Sequence, residues 1–173
     1  MTRLGGIAIL ALLVLVQTPA GAASVPAPDQ QQFCALADKL RADVAAAGAA
    51  GRDTALQAAR SAVEGFIVQH RGIDWTGTVG RIVFSEKNKA GGEVEVCPAS
   101  VVGGVSPEGG LDSESWAEPE TRLYNQWHQM TQGKPVEFRA ALLGVYDRAA
   151  DFPAKILLRA RIVDVSPQPS SQP

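Results

Sequence analysis

The chain has 173 residues, 46% of them hydrophobic and 20% charged, with a formal net charge of −2. That length holds one domain with a modest core, and that composition folds rather than staying disordered. A near-neutral balance gives no overall basic field, which argues against strong non-specific binding of DNA or RNA, and no Lys/Arg-rich amphipathic face of the kind that lies on a membrane.

Met1-Thr2-Arg3 supplies one positive charge, Ile7 to Val16 is an unbroken apolar run, and Ala20-Gly21-Ala22 has the small-x-small pattern of a cleavage site. Together these are the three parts of a secretory signal peptide. The run is shorter than the roughly 20 apolar residues of a membrane span. Residues 1–22 are therefore expected to be a signal peptide. The mature protein is expected to start near Ala23, to carry no membrane span after cleavage, and to be periplasmic or secreted. Dropping Arg3 from the 16 Lys and Arg, against 18 Asp and Glu, leaves the mature part at −3. Cys34 follows Gln31-Gln32-Phe33 rather than small residues closing the leader, which argues against a lipoprotein anchor.

Residues 23–72 read as a linker and a helical hairpin. Ser24 to Pro28 is the Pro/Ala linker. A first helix is predicted from about Asp29 to Ala47, capped by Asp29, with Phe33, Leu36, Ala37, Leu40 and Val44 on one stripe and Gly48 and Gly51 ending it. A second is predicted from about Thr54 to His70, capped by Asp53. Its shared face is Leu56, Ala59, Val63, Phe66, Ile67 and His70, and Gly72 ends it in the left-handed conformation. The Ala-rich stretch between them also fits one kinked helix.

From Gly72 the period changes from helical to two. Trp75, Gly77 and Val79 share one parity, Ile82 and Phe84 the other. An extra residue at Gly80, a β-bulge, lets all five face one core. Glu86 to Gly92 is a polar turn, and Glu93 to Cys97 a returning strand with Val94 and Val96 inward. Pro98 to Ser115 is loop-like, with Val101, Val102 and Val105 as a short strand. Glu118-Pro119-Glu120 starts a short helix bearing Leu123, Tyr124, Trp127 and Met130. Pro135 to Tyr146 and Lys155 to Val165 are strands. The first points Val136, Phe138, Ala140 and Leu142 inward; the second points Ile156, Leu158, Ala160 and Ile162 inward and Lys155, Arg159 and Arg161 outward. The Pro/Ser/Gln-rich residues 168–173 form a disordered tail.

After the hairpin the order is strand, strand, strand, helix, strand, strand. That is the order of an OB-fold. The fold class expected is therefore mainly β with helices: an OB-like five-stranded barrel over residues 73–167, all antiparallel, with an N-terminal two-helix extension. At Trp75-Thr-Gly-Thr-Val-Gly-Arg-Ile82, Gln132-Gly-Lys-Pro-Val-Glu-Phe138 and Ile162-Val-Asp-Val-Ser-Pro167 the chain resembles exported bacterial OB-fold proteins of the tRNA-anticodon-like nucleic-acid-binding superfamily. The resemblance covers residues 73–167. It implies a fold and a possible binding face and carries no functional residue with it.

Cys34 and Cys97 are an even pair in an oxidising compartment, which suggests one disulfide. The alternative is two buried free thiols, or a reactive one. Closing a loop of about 60 residues contributes roughly 4 kcal/mol by chain entropy. No Cys-x-x-Cys supports a redox role. His70 and His128 lie far apart, without zinc-ligand spacing. Ser106 is followed by Pro107, which removes a backbone N–H that an oxyanion hole would use. Glu93, Glu95 and Glu137 are candidates for an acidic pair, or for cross-strand ion pairs with arginine. No cofactor is expected. The best candidate ligand face is Arg81, Arg139, Arg159 and Arg161, with Trp127, Trp116 or Tyr124 nearby; the plainer reading is a solvated face balanced by glutamates.

The function expected is thus an exported, non-enzymatic OB-like binding or interaction module for a protein partner or envelope ligand. Two alternatives stand beside it. One is a binder of polyanions, oligosaccharides or single-stranded nucleic acid using the arginine face. The other is a hydrolase with its site in the loop from Pro98 to Ser115.

Overall fold

The computed structural model describes residues 25–104, 115–146 and 151–168. The expected signal peptide, Val105, Ser106 and the tail beyond Gln168 lie outside the described residues. Among the described residues, no helix is long and apolar enough to cross a membrane.

Two helices open the fold, α1 (Pro28–Ala46) and α2 (Gly48–Gln69). α1 buries Gln30, Phe33, Ala37, Leu40 and Val44, the spacing of one helical face. Its start corrects the expected cap. Pro28 takes the first turn, where its missing N–H costs nothing, and no side chain caps the helix. The Asp29 carboxylate instead accepts a hydrogen bond from the Trp75 indole N–H at 2.9 Å. α2 begins before Thr54, because the Ala-rich stretch favours helix back to Gly48. Gly48 has φ +61°, the left-handed geometry that separates the two helices; Gly51 lies inside α2 and ends nothing. Asp53 does not cap α2, and Gly72 is the first residue of a strand rather than a helix terminator.

Five strands follow: β1 (Gly72–Phe84), β2 (Ala90–Cys97), β3 (Ser100–Gly103), β4 (Pro135–Val145) and β5 (Ile156–Pro167). A short helix, α3 (Arg122–Gln129), precedes β4. The strands close into a barrel in the order β1-β2-β3-β5-β4, as expected of an OB-like fold. The two-helix extension stands before it, and helix and strand take nearly equal shares of the described residues. One expectation about the barrel is corrected: β3 and β5 run parallel. A ring of five strands cannot alternate direction all the way round, so closure requires a parallel neighbour pair somewhere.

β1 serves two partners. Gly72 to Thr78 pairs with β4, and Thr78 to Phe84 pairs with β2. The register slips between Val79 and Arg81, so Gly80 is the expected bulge. Trp75 and Val79 are 1% exposed on one side of the slip, and Ile82 packs against the core on the other. Phe84 breaks the expected pattern at 51% exposure. Its parity is inward, but pairing with β4 ended at Thr78, so Phe84 stands on the barrel rim against the His128 ring, 4.6 Å between centroids. β5 changes phase in the same way. Arg139 pairs with Asp164 and Ala140 with Ile162, leaving Val163 as the extra residue. Ile162 and Val165 are thus both buried while Val163 is 53% exposed.

The interior is filled. Val94, Val102, Val136, Phe138, Leu158 and Val165 meet inside it. The helical hairpin closes over Trp75, whose ring lies 5.5 Å from Phe33 and 6.2 Å from Phe66. α3 starts at Thr121, not in the Glu118-Pro119-Glu120 turn; the Thr121 hydroxyl accepts from the Tyr124 N–H at 3.2 Å. It drives Trp127 into the core over Gly92, where a Cβ would stand 2.7 Å from the indole.

Candidate functional site

The two cysteines are joined. Cys34 on α1 and Cys97 at the end of β2 form a disulfide with Cα atoms 5.9 Å apart. This bond fixes the first helix to the barrel. Arg41 reinforces it, donating to the Pro98 carbonyl at 2.7 Å and the Ser100 hydroxyl at 3.2 Å.

The four arginines do not form one patch. Arg81, on β1, lies 3.7 Å from the Glu93 carboxylate of β2. By register, Glu93 faces Gly103 and Gly103 faces Arg159, so a carboxylate and a glycine separate Arg81 from Arg159, and Arg139 faces Asp74, seven positions from Arg81 along β1. Arg139, Arg159 and Arg161 share the outer face of β4 and β5. Arg159 sits opposite Gly144, Arg161 opposite Ala141, and Arg139 two residues further along β4. All three are exposed. Arg139 bonds Asp164 at 3.1 Å.

Trp127 does not join them. It is 1% exposed inside the core, because the apolar face of α3 turns toward the barrel opening. Tyr124 is also engaged elsewhere, donating to the Asn88 side chain at 2.8 Å and packing on His128. Trp116 is half-buried.

Among the carboxylates, Glu93 is half-buried. Burial raises its pKa, while Arg81 and Lys155 pull it down and Glu95 raises it further. Glu137 does not face it: Glu137 pairs with Thr76 across the other edge of β1. The histidines also stay apart, His70 stacked on Phe66 at 4.4 Å and His128 between Phe84 and Tyr124. Among the described residues, no group of three His, Cys, Asp or Glu is placed to hold a metal ion.

Two residues that organise this surface escaped sequence reasoning. Asp164 ties α3 to the sheet. It accepts from Gln126 at 2.6 Å and from Arg139 at 3.1 Å and forms an ion pair with Arg122 at 3.1 Å, and these partners hold its carboxyl below the usual aspartate range. Gln30, 2% exposed, works at the other end. Its amide donates to the Thr76 carbonyl at 2.6 Å and the Val96 carbonyl at 3.2 Å, and accepts from the Thr76 N–H at 3.1 Å. β1 and β2 part beyond Thr78 and Glu95, and Gln30 fills the gap as a strand residue would. The signal was present in the sequence: a polar side chain three residues before Phe33 on the apolar stripe of α1 needs a buried partner.

No protein-family model, no curated protein and no solved structure matches this chain.

Proposed function

We propose that the protein is an exported, non-enzymatic OB-like binding module, and that it meets an anionic protein or envelope ligand through the outer face of β4 and β5. The observation that carries this reading is the exposure of Arg159 and Arg161 two residues apart on one face, with Arg139 on the same face of the adjacent strand. The barrel interior is packed with side chains, so a partner must bind outside it. The disulfide fits an oxidising compartment and an exported chain. The strand order fits the resemblance to the tRNA-anticodon-like OB superfamily. Guanidinium groups on a rigid sheet suit carboxylate, sulfate or phosphate oxygens, which they grip in pairs.

Charge reversal tests the reading. The protein is expected to bind heparin and polyglutamate at low salt, with affinity falling as salt rises. The Arg159→Glu/Arg161→Glu variant is expected to lose that binding while keeping the circular dichroism spectrum of the folded protein. Absence of binding by the unaltered protein at low salt, or full binding by the variant, would overturn it.

A further inference from the structure

A groove of about 410 Å³ opens on the outer surface where β1 and β2 part. Its volume falls within the range of small-ligand sites. Thr76, Thr78 and Glu95 contribute to its lining, and Pro26, Pro98 and Pro135 flank them. Its walls are tied down. The disulfide holds the Pro98 side, the Gln30 amide pins the start of α1, and the Gln168 N–H donates to the Pro135 carbonyl at 3.1 Å.

The charged side chain that lines the groove is a carboxylate. Glu95 is exposed, lines the groove and makes no salt bridge with any described residue. Register places Thr78 between Glu95 and Pro135, and Thr76 opposite Glu137. Two carboxylates therefore flank two hydroxyl-bearing positions on neighbouring strands. Among the described residues, no Lys, Arg or His lines the groove. The positive end of α1 is answered by Asp29 in its first turn. Proline rings offer flat C–H surfaces and no N–H donor, so specificity falls to the threonine hydroxyls and the carboxylate.

We propose that this groove binds a small hydroxylated amine. The ammonium would pair with Glu95, the ligand hydroxyls would exchange hydrogen bonds with Thr78 and donate to Thr76, whose own hydroxyl donates to the Gln30 side-chain oxygen at 3.4 Å, and the carbon skeleton would lie against the prolines. The groove shares no lining residue with the arginine face and takes a ligand of opposite charge, so either proposal can fail alone.

The test is an NMR titration of the ¹⁵N-labelled protein with glucosamine, and with N-acetylglucosamine as the uncharged counterpart. Glucosamine is expected to give saturable shifts at Thr76, Thr78 and Glu95, and N-acetylglucosamine to bind at least about tenfold more weakly, the scale of one charge-assisted hydrogen bond. Glu95→Gln is expected to erase that preference, and Thr78→Val to weaken glucosamine without erasing it. Both positions are on the outer face, and the spectrum of each variant reports its fold directly. Lack of saturable shifts with glucosamine, equal binding of both sugars, or unchanged preference in folded Glu95→Gln would overturn the proposal.

Discussion

Replacing Gln30 by leucine removes a side chain that completes the barrel without being part of it. The two side chains have similar volumes, so the change leaves little cavity and isolates the hydrogen bonds. Three backbone groups lose their partner: the Thr76 N–H, the Thr76 carbonyl and the Val96 carbonyl. Each orphaned buried group costs roughly 1–3 kcal/mol. The neighbouring groove lets water approach Thr76, so the low end applies and a total of about 3 kcal/mol is expected. For a domain of this size that lowers Tm by roughly 6–12 °C. Thermal unfolding followed by circular dichroism measures it. Gln30→Glu provides a second reading. An ionised carboxylate accepts from the Thr76 N–H but repels both carbonyls, so this variant should recover stability as pH falls and the carboxyl gains a donating proton. If Gln30→Leu melts within about 2 °C of the unaltered protein, a shift worth less than 1 kcal/mol, Gln30 does not act as a surrogate strand residue.

Removing the disulfide in Cys34→Ser/Cys97→Ser should cost about 4 kcal/mol by chain entropy for the bond's sequence separation of 63, read as a lowered urea midpoint, and amide exchange should quicken first in α1. An unchanged midpoint would show that Gln30, Arg41 and the aromatic contacts hold the helix unaided. Asp164 contributes to acid stability. Its folded pKa is depressed, so its contribution is present above the unfolded value near 3.8 and is lost as pH falls through the folded value below it. The stability gap between the unaltered protein and Asp164→Asn should therefore stay level from neutral pH down to about pH 5 and shrink below about pH 4. Urea midpoints across that range check this, and a gap independent of pH would refute it.

Local pattern made much of this fold legible. The apolar stripes of α1 and α2, the change of period at Gly72, the bulge at Gly80 and the inward sets of β4 and β5 depend only on neighbours along the chain. Helix boundaries were less legible, because several residues near each end satisfy the same capping rules and packing chooses among them. The disulfide stood between these cases: parity of count suggested it, and only proximity joined Cys34 to Cys97.

The candidate surface was legible in its ingredients and not in its grouping. Arg159 and Arg161 share a face by alternation alone, whereas Arg81 lies across β2 and β3 from Arg159 and meets Glu93 on the way. Phe84 and Trp127 show the same division. Each lies on an apolar stripe, but strand pairing leaves Phe84 on the rim, and the docking of α3 sends Trp127 into the core. Gln30 meets Thr76 across 46 positions, a contact that exists because β1 changes partners there. Periodicity determines which side of an element is apolar. Ring closure, with its parallel contact of β3 and β5, determines what each side touches, since that depends on the geometry of all five strands at once.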